Sequence, residues 1–389
     1  MLIAYSTSKI LRKTEKTISS GLCRTRTITA MLETDEPPIA TRDAWSPKDN
    51  DFRDKPAAST NSDKPRHVSL RANEKIHSLP AHLVRRPSDV PKSDRVLRVN
   101  DDNFTLKYGD AIHHGQYTNV YKGHLNGQKV AIKEIDLTAI RDPSLYVRGI
   151  SEFMQEGYIL SELDHPNIVK LLCADLTSPT RRVLVLQWLE GHDFYVHLHT
   201  LCARFRTIRQ ILTLADVLTS TYEYMHSKDV VNRDIKSLNI MIDPSKENHL
   251  TIIDFGTSRK DDPKGTMTPR TGSYRWASPE NLRGQQYGKP ADVYSFGVVM
   301  WEAISGELPY EGFTPDQAGQ MVALENARPG NFNVGPNCTQ ELCDLLMRTW
   351  DDDPLKRPTF TELNKEIREM LVQLPPIVED NGLCGCKVS

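Results

Sequence analysis

The pattern of hydrophobic and polar positions changes character near residue 103. Before it, apolar residues are sparse and aperiodic, and Pro37, Pro38, Pro47, Pro56, Pro65, Pro80, Pro87 and Pro91 break the chain repeatedly. Such a segment buries too little apolar surface to offset the entropy of ordering it, so residues 1–102 are expected to form a disordered extension. From Asn103 onward, FTLKYGDAI and NVYKGHLNGQKVAIKEI alternate apolar and polar positions, with Asn126-Gly127 between the last two runs. Asn-Gly suits a two-residue turn whose central residues both need positive φ, which predicts a β-hairpin within an antiparallel sheet. Residues 149–163 then switch to helical spacing at Phe153, Tyr158, Leu160 and Leu163, and RRVLVLQWLEG returns to a buried strand. Beyond about residue 205 the patterns are mostly helical, over 208–228, 291–306, 339–350 and 360–374.

A sheet-rich part followed by a helix-rich part predicts an α+β chain of two lobes with a cleft between them. The expected division is an N-lobe over 103–187, a C-lobe over 191–373 and a flexible tail over 374–389.

Composition narrows the classes. With 49 Lys+Arg against 51 Asp+Glu and a formal charge of -2 in 389 residues, there is no bulk electrostatic case for nucleic-acid binding. No apolar run approaches the roughly 18 residues needed to cross a bilayer. The apolar stretch of MLIAYSTSKILRK is too short for a secretory signal, so a cytoplasmic chain is expected. The first thirty residues are basic and rich in Ser and Thr; a disordered basic tail is expected over a mitochondrial import signal. The cysteines (Cys23, Cys173, Cys202, Cys338, Cys343, Cys384, Cys386) are odd in number and scattered, which favours free thiols.

Five separated motifs then occur in one order: Val130-Ala131-Ile132-Lys133; Glu156 ahead of His165-Pro166-Asn167; Asn232-Arg233-Asp234-Ile235-Lys236-Ser237-Leu238-Asn239; Asp254-Phe255-Gly256; and Ser278-Pro279-Glu280. Singly, each is commonplace: a strand with a solvated lysine, a surface helical carboxylate, a turn. Together and in order they resemble the eukaryotic protein kinases over roughly residues 103–373, most closely the tyrosine-kinase-like branch of serine/threonine kinases. Asp292 and Arg357 match helical positions of the same family.

The resemblance implies a bilobal kinase fold and transfer of the γ-phosphate of ATP to serine/threonine hydroxyls of protein substrates, in signal transduction. Such chemistry needs the triphosphate positioned and its charge neutralised. Lys133 would meet the α/β-phosphates, with Glu156 fixing it by an ion pair. Asp254 and Asn239 offer hard oxygen ligands for Mg²⁺, or for Mn²⁺. Asp234 would orient the substrate hydroxyl and accept its proton, and Lys236 would reach the transferred phosphate. Ser273 stands where the family has its substrate-loop threonine. Gln187 and Leu189 would present backbone to the adenine edge, behind Leu186 as gatekeeper, and Val120, Ala131 and Met241 would sandwich the ring. Arg233 implies control by an upstream kinase, through phosphate on Thr266, Thr268 or Thr271. Glu280 and Arg357 are expected to form a buried structural ion pair without a catalytic role.

Two departures bear on activity. The phosphate-covering loop reads His113-His114-Gly115-Gln116-Tyr117-Thr118-Asn119-Val120, keeping Gly115 alone of the family's three glycines. Weaker nucleotide handling is expected, although His113 could itself contact phosphate. Asn232 replaces the histidine before Arg-Asp, where a small polar side chain is expected to loosen the packing against Phe255. A nucleotide-binding pseudokinase that works as a scaffold is the alternative reading; retention of Lys133, Asp234, Asn239 and Asp254 favours the enzyme. Finally, Cys386-Lys387-Val388-Ser389 resembles a farnesylation box. One prenyl chain anchors only marginally, so Cys384 is the expected second lipid site and the membrane is expected only by that route.

Overall fold

The computed structural model describes residues 97–98 and 106–376 except 116, 177, 246–249 and 262–272. The elements run in chain order as β1 (Leu97–Arg98), β2 (Leu106–His114), β3 (Thr118–Leu125), β4 (Gln128–Asp136), α1 (Pro143–Glu162), β5 (Leu171–Asp175) and β6 (Arg181–Gln187). After β6 come β7 (His192–Asp193), α2 (Ile208–Ser227), β8 (Val230–Val231), β9 (Ile240–Ile242), β10 (Leu250–Ile252) and β11 (Arg259–Lys260). Helices α3 (Pro279–Leu282), α4 (Lys289–Ser305), α5 (Pro315–Glu325), α6 (Gln340–Arg348) and α7 (Phe360–Gln373) complete the fold. This is the expected α+β arrangement of a sheet-based N-lobe and a helical C-lobe.

The N-lobe sheet has the order β1-β5-β6-β4-β3-β2. Its pairs are antiparallel except β1 with β5, which run parallel. Leu97 and Arg98 fall within the segment whose composition predicts disorder. Two residues paired along one edge leave no periodicity to read. The β3–β4 hairpin closes on Asn126 and Gly127, with φ of 51° and 85°, as Asn-Gly predicts.

Strand alternation sorts the sheet's two faces. Val130 and Ile132 of β4 join Cys173, Val183 and Val185 in a small cluster on one face. Ala131 and Lys133, alternating with them, point to the other face, towards the cleft. Helix α1 begins earlier than its apolar spacing suggests: Asp142 accepts from the Ser144 and Leu145 amides and Pro143 occupies the first turn. Its buried stripe runs through Gly149, Phe153, Glu156, Gly157 and Leu160, so one carboxylate sits within an otherwise apolar face.

The C-lobe is organised around α4, buried continuously from Ala291 to Ala303. A helix buried on all sides belongs in a core. Ring stacking of Tyr222 and Phe360 packs α2 against α7. α2, α5 and α7 each open with a capping box. Glu280 and Arg357 form the expected ion pair, with contacts of 2.8 and 2.9 Å. Cys173, Cys202, Cys338 and Cys343 are free thiols. No described helix is long and apolar enough to cross a membrane.

Candidate active site

The cleft between sheet and helices encloses about 530 Å³. Its inner wall comes from β4 and β6, where Ala131 faces Leu186 and Lys133 faces Leu184, while Val120 of β3 lies opposite Lys133. Gln187 and Leu189 edge it on the connection between lobes, and Met241 of β9 closes it below. Leu186 is buried at the back. An apolar slot bounded by a strand end suits a flat ring with polar edges.

Charge concentrates at the far end. The Lys133 ammonium lies 2.8 and 2.6 Å from the two Glu156 oxygens and 3.1 Å from Asp254 Oδ1. Burial alone would lower the lysine, but Asp254 and Glu156 outweigh it and push its pKa above the ordinary value. Burial would likewise raise Asp254, yet the Lys133 charge holds it well below the usual carboxylate range, so this oxygen donor is ionised. Glu156 moves the other way: burial pushes it up, with Asp254 adding to the rise and Lys133 opposing. One lysine is thus shared by two acids.

Two backbone turns hold the loop groups. Arg233 and Asp254 have φ of 72° and 65°, a region that side chains other than glycine adopt at a cost. The Asp292 carboxylate of α4 supports the first turn, accepting from the Asn232 and Arg233 amides at 2.8 Å each. Asn232 is buried and hydrogen-bonded. Its Oδ1 accepts from the Asp234 amide at 3.1 Å, and its carbonyl accepts from the Thr257 and Ser258 hydroxyls just beyond Asp-Phe-Gly. Phe255 is fully buried.

Asp234 is the meeting point of the candidate chemistry. Oδ2 accepts from Lys236 Nζ at 2.5 Å and from Asn239 Nδ2 at 3.0 Å, and Oδ1 accepts from the Ser273 amide at 2.9 Å. Lys236 also donates to Ser273 Oγ at 2.8 Å. The loop 232–239 and Ser273 are therefore one hydrogen-bonded unit.

Lys133, Glu156, Asp234, Lys236, Asp254, Ser273, Gly115, Val120, Ala131, Gln187, Leu189 and Met241 all line the cleft. Asn239 stands behind Asp234. Arg233 lies outside the cleft, donating from Nε to the Tyr287 hydroxyl at 2.8 Å. Thr266, Thr268, Thr271, Cys384 and Cys386 lie outside the described residues.

Some supports are invisible to motif reading. Glu302 of α4, fully buried, accepts from Ser237 Oγ (2.8 Å) and Trp276 Nε1 (3.0 Å), and lies 2.8 Å from His199 Nε2. Arg259 stands close enough to Arg233 and Arg148 that their charges interact. Tyr117, at the loop tip, reaches Glu152 of α1.

Comparison with known proteins decides the family. Residues 106–367 match the protein kinase domain model. The chain belongs to the protein kinase family. Serine/threonine-protein kinase STY46 of Arabidopsis thaliana is 34% identical over 265 residues, covering 68% of this chain and 44% of that one. A probable serine/threonine-protein kinase of Dictyostelium discoideum is 37% identical over 265 residues, or 68% and 28% of the two chains. Serine/threonine/tyrosine-protein kinase HT1 of Arabidopsis thaliana is 31% identical over 262 residues, or 66% and 64%. The match therefore spans from about a quarter to just under two thirds of these relatives. They agree with the tyrosine-kinase-like resemblance read from the motifs.

Proposed function

We propose that this kinase domain transfers the γ-phosphate of ATP, with Mg²⁺, to serine and threonine hydroxyls of protein substrates. The observation that carries the reading is the Lys133–Glu156–Asp254 cluster facing the Asp234–Lys236–Ser273 unit across one cleft. The cleft fits the nucleotide by its apolar slot and by the Lys133 ammonium at its far end. Asp254, held ionised, and the Asn239 side-chain Oδ1 are hard donors of the kind Mg²⁺ takes. Among the described residues no three His, Cys, Asp or Glu side chains converge into a metal cage, and Mg²⁺ needs none when phosphates supply the remaining oxygens. When bound, the metal neutralises charge on the phosphates.

The remaining work falls to side chains. Lys133, fixed by Glu156, holds the triphosphate chain. Asp234 orients the attacking hydroxyl and takes its proton, positioned by Asn239, Lys236 and the Ser273 amide. Lys236 carries positive charge to the phosphoryl group in flight and bridges to the substrate loop through Ser273, which supports serine/threonine over tyrosine acceptors. The intact set of charged groups supports an enzyme over a scaffold. Names among the relatives include serine/threonine and dual-specificity kinases.

Control by an upstream kinase belongs to the same reading. Arg233, Arg259 and Arg148 offer guanidinium groups to a phosphate on Thr266, Thr268 or Thr271. Cytoplasmic residence and prenylation of Cys386, with Cys384 as a second lipid site, are proposals drawn from sequence; unchanged intact mass after incubation with a farnesyltransferase removes the lipid.

The test is incubation of the purified chain with γ-labelled ATP, Mg²⁺ and a generic protein substrate, followed by acid hydrolysis. Label on phosphoserine and phosphothreonine is expected. Label confined to phosphotyrosine overturns the acceptor assignment.

A further inference from the structure

The loop between β2 and β3 lacks two of the glycines that let backbone amides close on phosphates, and the structure shows what holds it instead. Gly115 N donates to Thr118 O at 2.7 Å, and a Cβ on Gly115 would stand 3.0 Å from that oxygen, so the surviving glycine closes a tight turn. Across the base of the loop, His114 Nδ1 and Asn119 Oδ1 are 2.9 Å apart. At the tip, the Tyr117 hydroxyl donates to Oε2 of Glu152. The other Glu152 oxygen accepts from Arg148 Nε at 2.8 Å, one turn earlier on α1.

The helix is shaped to receive the ring. Gly149 lies inside α1, where glycine is unfavourable, and a Cβ there would come within 3.1 Å of the Tyr117 ring. Burial and the Glu152 contact both push the Tyr117 hydroxyl above its ordinary pKa, so it remains a proton donor at neutral pH. Glu152 and Glu156 are one turn apart on the same helix. The loop tip and the Lys133–Glu156 ion pair are therefore fastened to adjacent turns of α1.

We propose that Tyr117 is a nucleotide-positioning residue: it fastens the phosphate-covering loop to α1 through Glu152, taking over from the missing glycines and coupling loop closure to the Lys133–Glu156 pair. The proposal rests on the reading of the cleft as a nucleotide site. A loop held down before the ligand arrives has less freedom to lose on binding, so the clasp strengthens nucleotide affinity. Coupling also runs in reverse, and bound nucleotide holds α1 in the position that makes the ion pair.

Calorimetric titration of the full chain with Mg–ATP tests this. Tyr117→Phe, which keeps the ring and removes the donor, is expected to weaken binding about tenfold, the order expected for one hydrogen bond to a charged acceptor. Glu152→Ala should match it, and the double variant should be no weaker than either single change. Glu152→Gln keeps an acceptor oxygen and should recover most of the affinity. In turnover the loss should appear mainly as a rise in KM for ATP with a smaller fall in kcat, a split that general loosening of the fold does not produce. Wild-type affinity in Tyr117→Phe, or losses that multiply in the double variant, overturn the clasp. A wild-type chain that binds no Mg–ATP overturns the nucleotide reading first, and the clasp with it.

Discussion

Replacing Glu280 by Gln should destabilise the domain severely without touching the cleft. The Arg357 side chain is wholly buried, and its guanidinium pairs with both Glu280 oxygens at 2.8 and 2.9 Å. It also donates to the Asp351 and Pro290 carbonyls, each at 2.9 Å. The glutamine keeps the volume and one acceptor but strands the positive charge. Removing one partner of such a pair costs about 3–5 kcal/mol. With roughly 2–4 °C per kcal/mol for a domain of this size, the melting temperature should fall by about 6–20 °C. Replacing both residues by apolar ones of similar volume should recover much of the loss, since the pair's own desolvation cost disappears with it.

The effect has a pH signature. Burial alone would raise Glu280, but the Arg357 hydrogen bonds and charge outweigh it and hold the carboxyl below its ordinary value of 4.5. A depressed folded pKa contributes stability that is fully present above the unfolded pKa and is lost as pH falls through the folded one. The gap between wild type and Glu280→Gln should therefore be widest at neutral pH and shrink below about 4.5. Thermal unfolding by circular dichroism, run from pH 7 to pH 3.5, measures it. A change under 2 °C at pH 7, or a gap that widens in acid, refutes the reasoning.

Other outcomes follow from the same geometry. Asn232→Ala removes the acceptor for the Asp234 amide and should cost about 1–3 kcal/mol in urea unfolding, with kcat falling more than KM. Burial and the Lys133 charge lower His113, so it is neutral above its folded pKa; binding a polyanion favours its charged form. ATP affinity should accordingly rise about threefold from pH 8 to pH 6 in wild type and change less in His113→Gln; equal pH dependence removes His113 from the phosphate site. Alanine at Thr266, Thr268 and Thr271 together should lower phosphotransfer severalfold, and unchanged activity shows that loop phosphorylation does not control it.

Much of this arrangement was legible before the structure. The Asn126-Gly127 turn, the strand alternation that sends Ala131 and Lys133 one way and Val130 and Ile132 the other, and the C-lobe helices near 208–228, 291–306, 339–350 and 360–374 are local effects that spacing records. The motif residues of the cleft could be named because the family places them in fixed order. What sequence did not show depends on pairs distant along the chain: Tyr117 with Glu152, Glu302 with Ser237 and Trp276, Asp292 with the 232–233 amides. Asn232 illustrates the limit. By size and polarity it predicts a loosened column, yet the strained turn at Arg233 brings its amide oxygen to the Asp234 N–H, and that direction is set by backbone geometry. Glu156 is the opposite case: alone it reads as a surface helical carboxylate, and the family resemblance pairs it with Lys133, as the structure does.

The central claim is that Asp234, held by Lys236, Asn239 and the Ser273 amide, serves phosphoryl transfer. The most direct measurement is the rate of label transfer from γ-labelled ATP to a serine- and threonine-containing substrate by the wild-type chain and by Asp234→Asn. The substitution preserves shape and removes the proton acceptor, so the rate should fall by about 10²–10⁴-fold, the usual contribution of a positioned base, while Mg–ATP binding persists. Equal labelling by both proteins contradicts the account.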